Sequence, residues 1–463
     1  MNNSFSNQDT IAAIATPFGE GGISVIRVSG EKSFEIVDAI FKGKNSIQSS
    51  PSHTILYGKI ISNQTIIDTV LISIFRKPHS YTGENVIEIS CHGGYFTAKK
   101  ILEILLQHQL RLAEPGEFTQ RAFLNGKMDL LQAEAVADII HSKTEQAHKT
   151  SIEQLQGRLS HYVEGLRNSL IELCSLLELE LDFSQEGIEL IQQKTLLNKI
   201  DSVIESIKKL LSTYTAGKVF RDGIKVVLVG KPNAGKSSLL NILLNEQRAI
   251  VSDIPGTTRD VIEENILIKN VLFRLVDTAG LREAEDVIER EGVRRTELQV
   301  ENSNIILLLV DCSALPTEED LQLYKRIKEK VKSKNNNIMF LYNKSDIENF
   351  EFKTHFQENP HIYISCKTGK GIEELKNLLI DTAIPNYDSS VSSILINNLR
   401  HKSLLESTLK SLANAKSSIE QGMSGDFIAV DMRESLNYLG ELIGITTPDD
   451  ILNNIFSKFC IGK

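Results

Sequence analysis

The stretch Gly230-Lys-Pro-Asn-Ala-Gly-Lys-Ser237 has the residue types and spacing of a phosphate cradle, G-x-x-x-x-G-K-[ST]. Glycines let backbone N–H groups converge on phosphate oxygens, and a helix N-terminus behind them adds partial positive charge. Lys236 is then placed to reach the β- and γ-phosphates, and the Ser237 hydroxyl to ligate Mg²⁺. The flanks agree with this. Ile224 to Gly230 is an apolar run that reads as a buried strand, and Ser238 to Asn245 reads as the helix leaving the loop.

Four further stretches bear on the base and on hydrolysis. Val271 to Asp277 reads as a strand ending in Asp277-Thr278-Ala279-Gly280, a D-x-x-G arrangement. Its carboxylate can hold Mg²⁺ through water, and the Gly280 N–H can meet the γ-phosphate. Upstream, Gly256-Thr257-Thr258-Arg259-Asp260 falls in the loop before that strand. A hydroxyl there, Thr258 first of all, can complete the Mg²⁺ shell in the triphosphate state and release on hydrolysis. After the apolar run Ile338 to Tyr342 comes Asn343-Lys344-Ser345-Asp346. The Asp346 carboxylate would accept two hydrogen bonds from guanine N1–H and its exocyclic amine. Adenine lacks that donor pair and would leave a polar group unpaired, at about 1–3 kcal/mol. Ser365-Cys366-Lys367 follows the run Ile362 to Ile364 and is placed to support guanine O6. In this order and spacing the set implies GTP hydrolysis, not ATP hydrolysis. Leu281 follows Gly280 where a Ras-like enzyme would place glutamine, and a leucine cannot orient water. Arg282, Glu283, Glu285, Asp286, Glu289 and Glu291 are all candidates for that task; most are expected on a solvated helix face.

These stretches need a scaffold, and 463 residues suffice for two to four domains. With 41 % hydrophobic and 24 % charged residues the composition is that of a globular chain, and no apolar run is long enough to span a bilayer. The five cysteines have no metal-ligand spacing, which fits a reducing cytoplasm. A net charge of −9 argues against a general nucleic-acid coat and leaves room for a local basic patch that docks RNA.

Residues 1–125 mix short strands (Gly22 to Val28, Ile66 to Phe75, Asn85 to Ser90) with helices at Ser33 to Phe41 and Tyr95 to Gln107, an α+β pattern. From 126 to 217 the pattern is helical, with one long stripe from Ile152 to Leu181 at steps of three or four. Residues 218–384 carry the nucleotide motifs, and 385–463 return to helix, with Thr447 expected to cap a last helix that has Pro448 in its first turn. The economical arrangement is a P-loop domain of mostly parallel sheet inserted into one discontinuous helical domain, preceded by the α+β domain.

The nucleotide motifs together resemble the TrmE–Era group of GTPases. Outside them, Pro115-Gly-Glu-Phe-Thr-Gln-Arg-Ala-Phe-Leu-Asn-Gly-Lys127 and Phe459-Cys-Ile-Gly-Lys463 resemble the MnmE (TrmE) family, over essentially the whole chain. That resemblance implies a homodimeric cytoplasmic enzyme that modifies carbon 5 of the wobble uridine of tRNA. It implies a flavin-containing partner, MnmG, in a heterotetramer, and a one-carbon unit from 5-formyl- or methylene-tetrahydrofolate. The nucleotide would contact Asn233 to Ser238, Ser252, Asp253, Ile254, Pro255, Gly256, Thr257 and Thr258. Further contacts would come from Asp277, Thr278, Ala279 and Gly280, from Asn343, Lys344, Ser345 and Asp346, and from Ser365, Cys366 and Lys367. Glu289 would orient the attacking water. Asn233, Ser252, Ile254 and Thr257 would hold a K⁺ ion when two nucleotide domains face each other, with Ser252 standing where relatives often carry threonine. By themselves Arg27, Glu88 and Lys127 are ordinary charged residues near element ends and His92 is structural; the resemblance makes the first three, with Lys463, the folate site. Cys460 fits no prenylation signal, since Lys463 is terminal and glycine takes an aliphatic place. The resemblance sets it near the folate with a role in the modification. The rival expectations are a regulatory GTPase of ribosome assembly and a folate-dependent one-carbon transferase.

Overall fold

The computed structural model describes residues 9–17, 19–108, 110–182, 193–247, 263–277, 298–313, 318–331, 337–347, 360–385 and 394–463. The chain forms two compact units. One comprises Met1–Ile140, Ile152–Asp201 and Ser407–Lys463, and the other His141–Ser151 and Ser202–Glu406.

The first unit contains a seven-stranded sheet among its described residues. Its strands are β1 (Ile11–Ile14), β2 (Ile23–Ser29), β3 (Phe41–Gly43), β4 (Thr54–Ser62), β5 (Thr65–Phe75), β6 (Val86–His92) and β7 (Arg111–Leu112). The order is β3-β4-β5-β6-β2-β1-β7, antiparallel throughout except for β1 beside β7. Alternation decides its two faces. Ile26 and Val28, Val70, Ile72 and Ile74, and Ile87 and Ile89 point to one side. There they pack with Val37, Ile40, Ala98, Ile101 and Leu105 from helices Ser33–Ile40 and Tyr95–Leu106. On the opposite face, register sets Ala13, Arg27, Glu88 and Ser73 in one row across four strands.

Helices in this unit include Glu117–Leu124, Leu130–His141, Arg158–Asp182, Gly425–Ile443 and Asp449–Phe456. The apolar stripe from Ile152 to Leu181 is not one helix. It breaks between Leu155 and Arg158, where Gly157 takes a φ of 81° and helix Glu145–Leu155 ends. A stripe that keeps its period across a break cannot reveal the break; only the glycine hinted at it. Helix Gly425–Ile443 packs along Arg158–Asp182, with the Arg433 guanidinium bonded to Glu178 at 2.7 Å. The final helix starts one residue later than its sequence signals suggest. Pro448 occupies the cap, and the Thr447 hydroxyl donates to the Glu441 carbonyl instead.

The second unit is a doubly covered sheet. Its strands are β8 (Ile224–Gly230), β9 (Glu263–Ile268), β10 (Val271–Asp277), β11 (Ile305–Asp311), β12 (Asn337–Asn343) and β13 (His361–Tyr363), in the order β13-β12-β11-β8-β10-β9. All neighbours are parallel except β9 and β10. A parallel sheet buried on both sides explains why β8, β11 and β12 are apolar runs without alternation. Val226 and Leu228 pack with Leu239, Leu243, Leu375 and Leu379 of helices Lys236–Gln247 and Ile372–Ala383. Val227 and Val229 pack on the other side with Phe340 and with Ile327 of helix Glu318–Val331. The C-terminal ends of these strands carry the candidate chemistry, as expected for this sheet type. Among the described residues no helix is long and apolar enough to cross a membrane.

Candidate functional site

At the end of β8 the chain turns at Gly230, where a Cβ would fall 2.6 Å from the Leu309 carbonyl oxygen on β11. The first glycine of the motif is therefore required by packing against the neighbouring strand. Asn233 and Gly235 have left-handed φ values of 63° and 101°. At Gly235 a Cβ would lie 2.1 Å from the Asn343 Nδ2, so only glycine fits between the loop and β12. Lys236 opens the helix and is buried. Its ammonium donates to the carbonyls of Gly230 at 2.9 Å and Lys231 at 2.8 Å. It thus lies across the loop it would serve, where phosphate oxygens would be stronger acceptors than these neutral carbonyls. Asn233, Ser237 and Ser238 are exposed along the loop and first helical turn.

The base-reading stretches converge on one amide. Asn343 is 2 % exposed; its Nδ2 donates to the Ala234 carbonyl at 2.8 Å, and its Oδ1 accepts from the Cys366 N–H at 3.1 Å. A single side chain so joins the phosphate loop, the N-K-S-D turn and the Ser365 loop. Lys344 follows with a φ of 67°, and its ammonium pairs with the Asp311 carboxylate at the end of β11. Asp346 Oδ1 accepts from the Ser365 hydroxyl at 2.6 Å, and that bond chiefly holds its carboxyl below the usual range. Ser365 is fully buried, its Oγ also accepting from the Thr368 N–H at 3.2 Å. Burial pushes the neighbouring Cys366 thiol up, which disfavours its thiolate. Lys367 is exposed beside it.

Asp277 ends β10. Ser252, Asp253, Ile254, Pro255, Gly256, Thr257 and Thr258 lie outside the described residues. So do Thr278, Ala279 and Gly280, Glu289, and the other candidates for orienting water.

A second cluster occupies the face of the seven-stranded sheet opposite helices Ser33–Ile40 and Tyr95–Leu106, where Phe118 of helix Glu117–Leu124 packs with Ala13. Arg27 on β2 and Glu88 on β6 are register partners, and Arg27 donates to Glu88 Oε1 through Nε at 2.9 Å and Nη2 at 2.8 Å. Its Nη1 donates to the Gly462 carbonyl at 3.2 Å, which brings the last residues into the cluster. The guanidinium lies 5.1 Å from the Tyr81 ring centroid and 5.6 Å from that of Phe118, and the Lys463 ammonium lies 5.8 Å from the Tyr81 ring. Burial first, and the Arg27 charge second, push the Lys463 amine below its ordinary value. Lys127 is not bonded into this group; its ammonium donates to the Pro78 carbonyl at 3.1 Å. Cys460 is exposed, and its carbonyl accepts from the Lys463 N–H at 3.3 Å and the Gly116 N–H at 3.4 Å. The His92 ring bonds to Asp68 at 2.7 Å, a strand-end contact.

Sequence reasoning passed over a buried ionic network beside this cluster. Arg121, 4 % exposed, bonds Asp9 at 2.7 Å, Glu84 at 3.2 Å and Glu117 at 2.9 Å, and Arg111 bonds Glu117 at 2.6 Å and Asp9 at 2.8 Å. Burial would raise the carboxyls of Asp9 and Glu117, but the arginine hydrogen bonds outweigh it and hold both below the usual range. The sequence signal was Glu117 and Arg121 at i and i+4, a spacing also common on solvated faces. Gly116, just before them, has a φ of 71°, and a Cβ there would fall 2.5 Å from the Phe456 carbonyl oxygen. The Pro115-to-Lys127 stretch therefore also seats the final helix, with Phe123 and Phe456 ring centroids 6.4 Å apart.

A strand–loop–helix cradle, with a guanine-type N-K-S-D turn stapled to it, places the chain among P-loop GTPases. Residues 10–127 match the family model "GTP-binding protein TrmE N-terminus", and residues 130–460 match that of the MnmE helical domain. The chain is 45 % identical to the tRNA modification GTPase MnmE of Clostridioides difficile (strain 630), over 98 % of this chain and 99 % of the relative. It is 44 % identical to that of Carboxydothermus hydrogenoformans, over 98 % of this chain and 100 % of the relative. Among solved structures, the G domain of the T. maritima FeoB iron transporter aligns at 27 % identity over 35 % of this chain and 99 % of that one, with a TM-score of 0.27. The chain belongs to the MnmE family of tRNA modification GTPases.

Proposed function

We propose that this protein hydrolyses GTP in order to install a 5-substituted methyl group on the wobble uridine of tRNA. The observation that carries this reading is the Asn343 staple, which joins a phosphate cradle to a guanine-selective turn in a chain of the MnmE family. Lys236 would leave its loop carbonyls for the β- and γ-phosphates, and Ser237 with Thr258 would hold Mg²⁺. Asp277 and Gly280 would sense the γ-phosphate, and Glu289 would orient the attacking water. A K⁺ ion would take the place of an arginine finger, bound by oxygens of Asn233, Ser252, Ile254 and Thr257. The exposed, left-handed Asn233 suits a hard-cation ligand, because its carboxamide is not tied into the loop's own hydrogen bonds among the described residues. GTP turnover is expected to need K⁺, with equal rates in NaCl removing the cation from the mechanism.

The Arg27, Glu88 and Lys463 cluster is proposed to hold a tetrahydrofolate derivative, with Lys127 turning from Pro78 toward the glutamate tail. The donor set suits such a ligand: an aromatic ring flanked by two cations, with a carboxylate for the pterin's amide-like edge. When bound, the folate supplies the one-carbon unit. Cys460 is proposed to act in that modification. Cys460→Ser is expected to abolish it and to spare GTP hydrolysis, whereas loss of both would assign the thiol to folding.

Further parts of the reading rest on the family. They are a cytoplasmic homodimer whose nucleotide domains (residues 218–384) open and close, helical segments 126–217 and 385–463, a folate-binding and dimerising domain at 1–125, and a flavin-containing MnmG partner. The deciding experiment is nucleoside analysis of tRNA from cells lacking this chain. Missing 5-substituted wobble uridines are expected; unchanged ones would favour a regulatory ribosome-assembly GTPase.

A further inference from the structure

Asp311 lies outside every motif of the nucleotide site. It ends β11, directly opposite Asn343 in the parallel register with β12, and the Cys312 N–H donates to the Asn343 carbonyl at 2.9 Å. Its carboxylate is aimed by Ser313, whose N–H and hydroxyl reach Oδ1 at 2.9 and 2.6 Å. Oδ2 takes the Lys344 ammonium. Burial would raise this carboxyl, but the bonds from Lys344 and Ser313 hold it below the usual range, so it is charged at neutral pH. Lys344 leaves β12 in the left-handed region at 67°, an uncommon conformation for a residue with a Cβ.

We propose that Asp311 is a positioning residue for guanine-nucleotide binding, acting through Lys344. The lysine is fixed at both ends, by its backbone conformation and by the ion pair, so its methylenes are held where they can offer an apolar wall to a purine ring. That wall adjoins the turn that carries Asp346. A free lysine would have to surrender several rotamers when a purine ring packed on it; a pinned one has already done so. The cation is also neutralised beside the base, so it does not compete for the carboxylate of Asp346.

This inference rests on reading the site as a guanine-nucleotide site, and one set of titrations separates the two. Full-length wild type and the variants Asp311→Ala, Lys344→Met and their double are titrated with mant-GDP and a non-hydrolysable mant-GTP analogue, with turnover measured on GTP. Asp311→Ala is expected to weaken both nucleotides five- to tenfold alike and to raise KM by the same factor, with kcat within twofold. The double variant is expected to bind as Lys344→Met alone does. Ser313→Ala, which loosens the carboxylate without removing it, is expected to lose about twofold. Where Asp311→Ala does not fold, Asp311→Asn takes its place in the cycle. Unchanged binding by Asp311→Ala, additivity with Lys344→Met, or a fall in kcat without a change in KM would each overturn the inference. Wild type that binds no mant-GDP would overturn the reading beneath it.

Discussion

In the nucleotide fold, the candidate site groups come from short contiguous stretches at the ends of parallel strands, and one amide, Asn343, ties two of them to the loop before helix Lys236–Gln247. In the amino-terminal unit no stretch suffices. Arg27 and Glu88 meet because strand register puts them opposite one another, and Gly462 joins them from 435 residues further on. The difference shows how a site's origin sets its tolerance. A motif-built site concentrates its demands on backbone conformation, so glycines and turn residues carry the risk. A topology-built site spreads its demands over strand pairing and over the seating of a distant helix.

Four changes would break or sharpen this contrast. The largest effect belongs to Lys236→Ala, which is expected to weaken GTP binding at least a hundredfold in a nucleotide titration while the melting temperature stays within a few degrees. Asn343→Ala leaves the Ala234 carbonyl and the half-buried Cys366 N–H without their partner. At about 1–3 kcal/mol for each buried group left unsatisfied, it is expected to lower GDP affinity ten- to a hundredfold and to destabilise the nucleotide unit together. If affinity fell without any loss of stability, the staple would be a ligand contact and not a scaffold.

On the other side of the comparison, Gly116→Val should act on the first unit only. It forces a β-branched residue to a φ of 71° and against the Phe456 carbonyl, and is expected to cost about 2–4 kcal/mol in chemical denaturation without changing the GDP dissociation constant. The smallest effect is one of pH. Glu117 and Asp9 are held below their ordinary range, so their contribution is complete above about pH 4, the unfolded value, and is lost as pH falls through the lowered folded values. Calorimetry is expected to show the melting temperature falling on acidification below about pH 4, with Glu117→Gln flattening part of that slope.

The legibility of each region follows the same division. The cradle, the base turn and the strands that carry them were readable because phosphate and guanine recognition need particular residue types at fixed spacing. The two-faced burial of a parallel sheet made β8 and β12 conspicuous as well, while β11, equally apolar, carries no motif and was not singled out. In the other unit the strands β5 and β6 could be read from alternation, yet nothing local announced that Arg121 would bind three carboxylates. Pairing over such distances depends on topology, and a buried ionic network looks like a polar surface when only one helix of it is seen. The break at Gly157 was hidden for the opposite reason, since the apolar period runs through it unaltered.

The seating of Phe456 on Gly116 and of Gly462 beside Ile14 also orders events during synthesis. The ribosome makes the sheet that carries Arg27 and Glu88 before the nucleotide fold and the helix that completes their surroundings after it. A chain cut before Phe456 would keep every partner of Asn343 and lose the Gly462 carbonyl that Arg27 holds, so damage there reaches one region and spares the other.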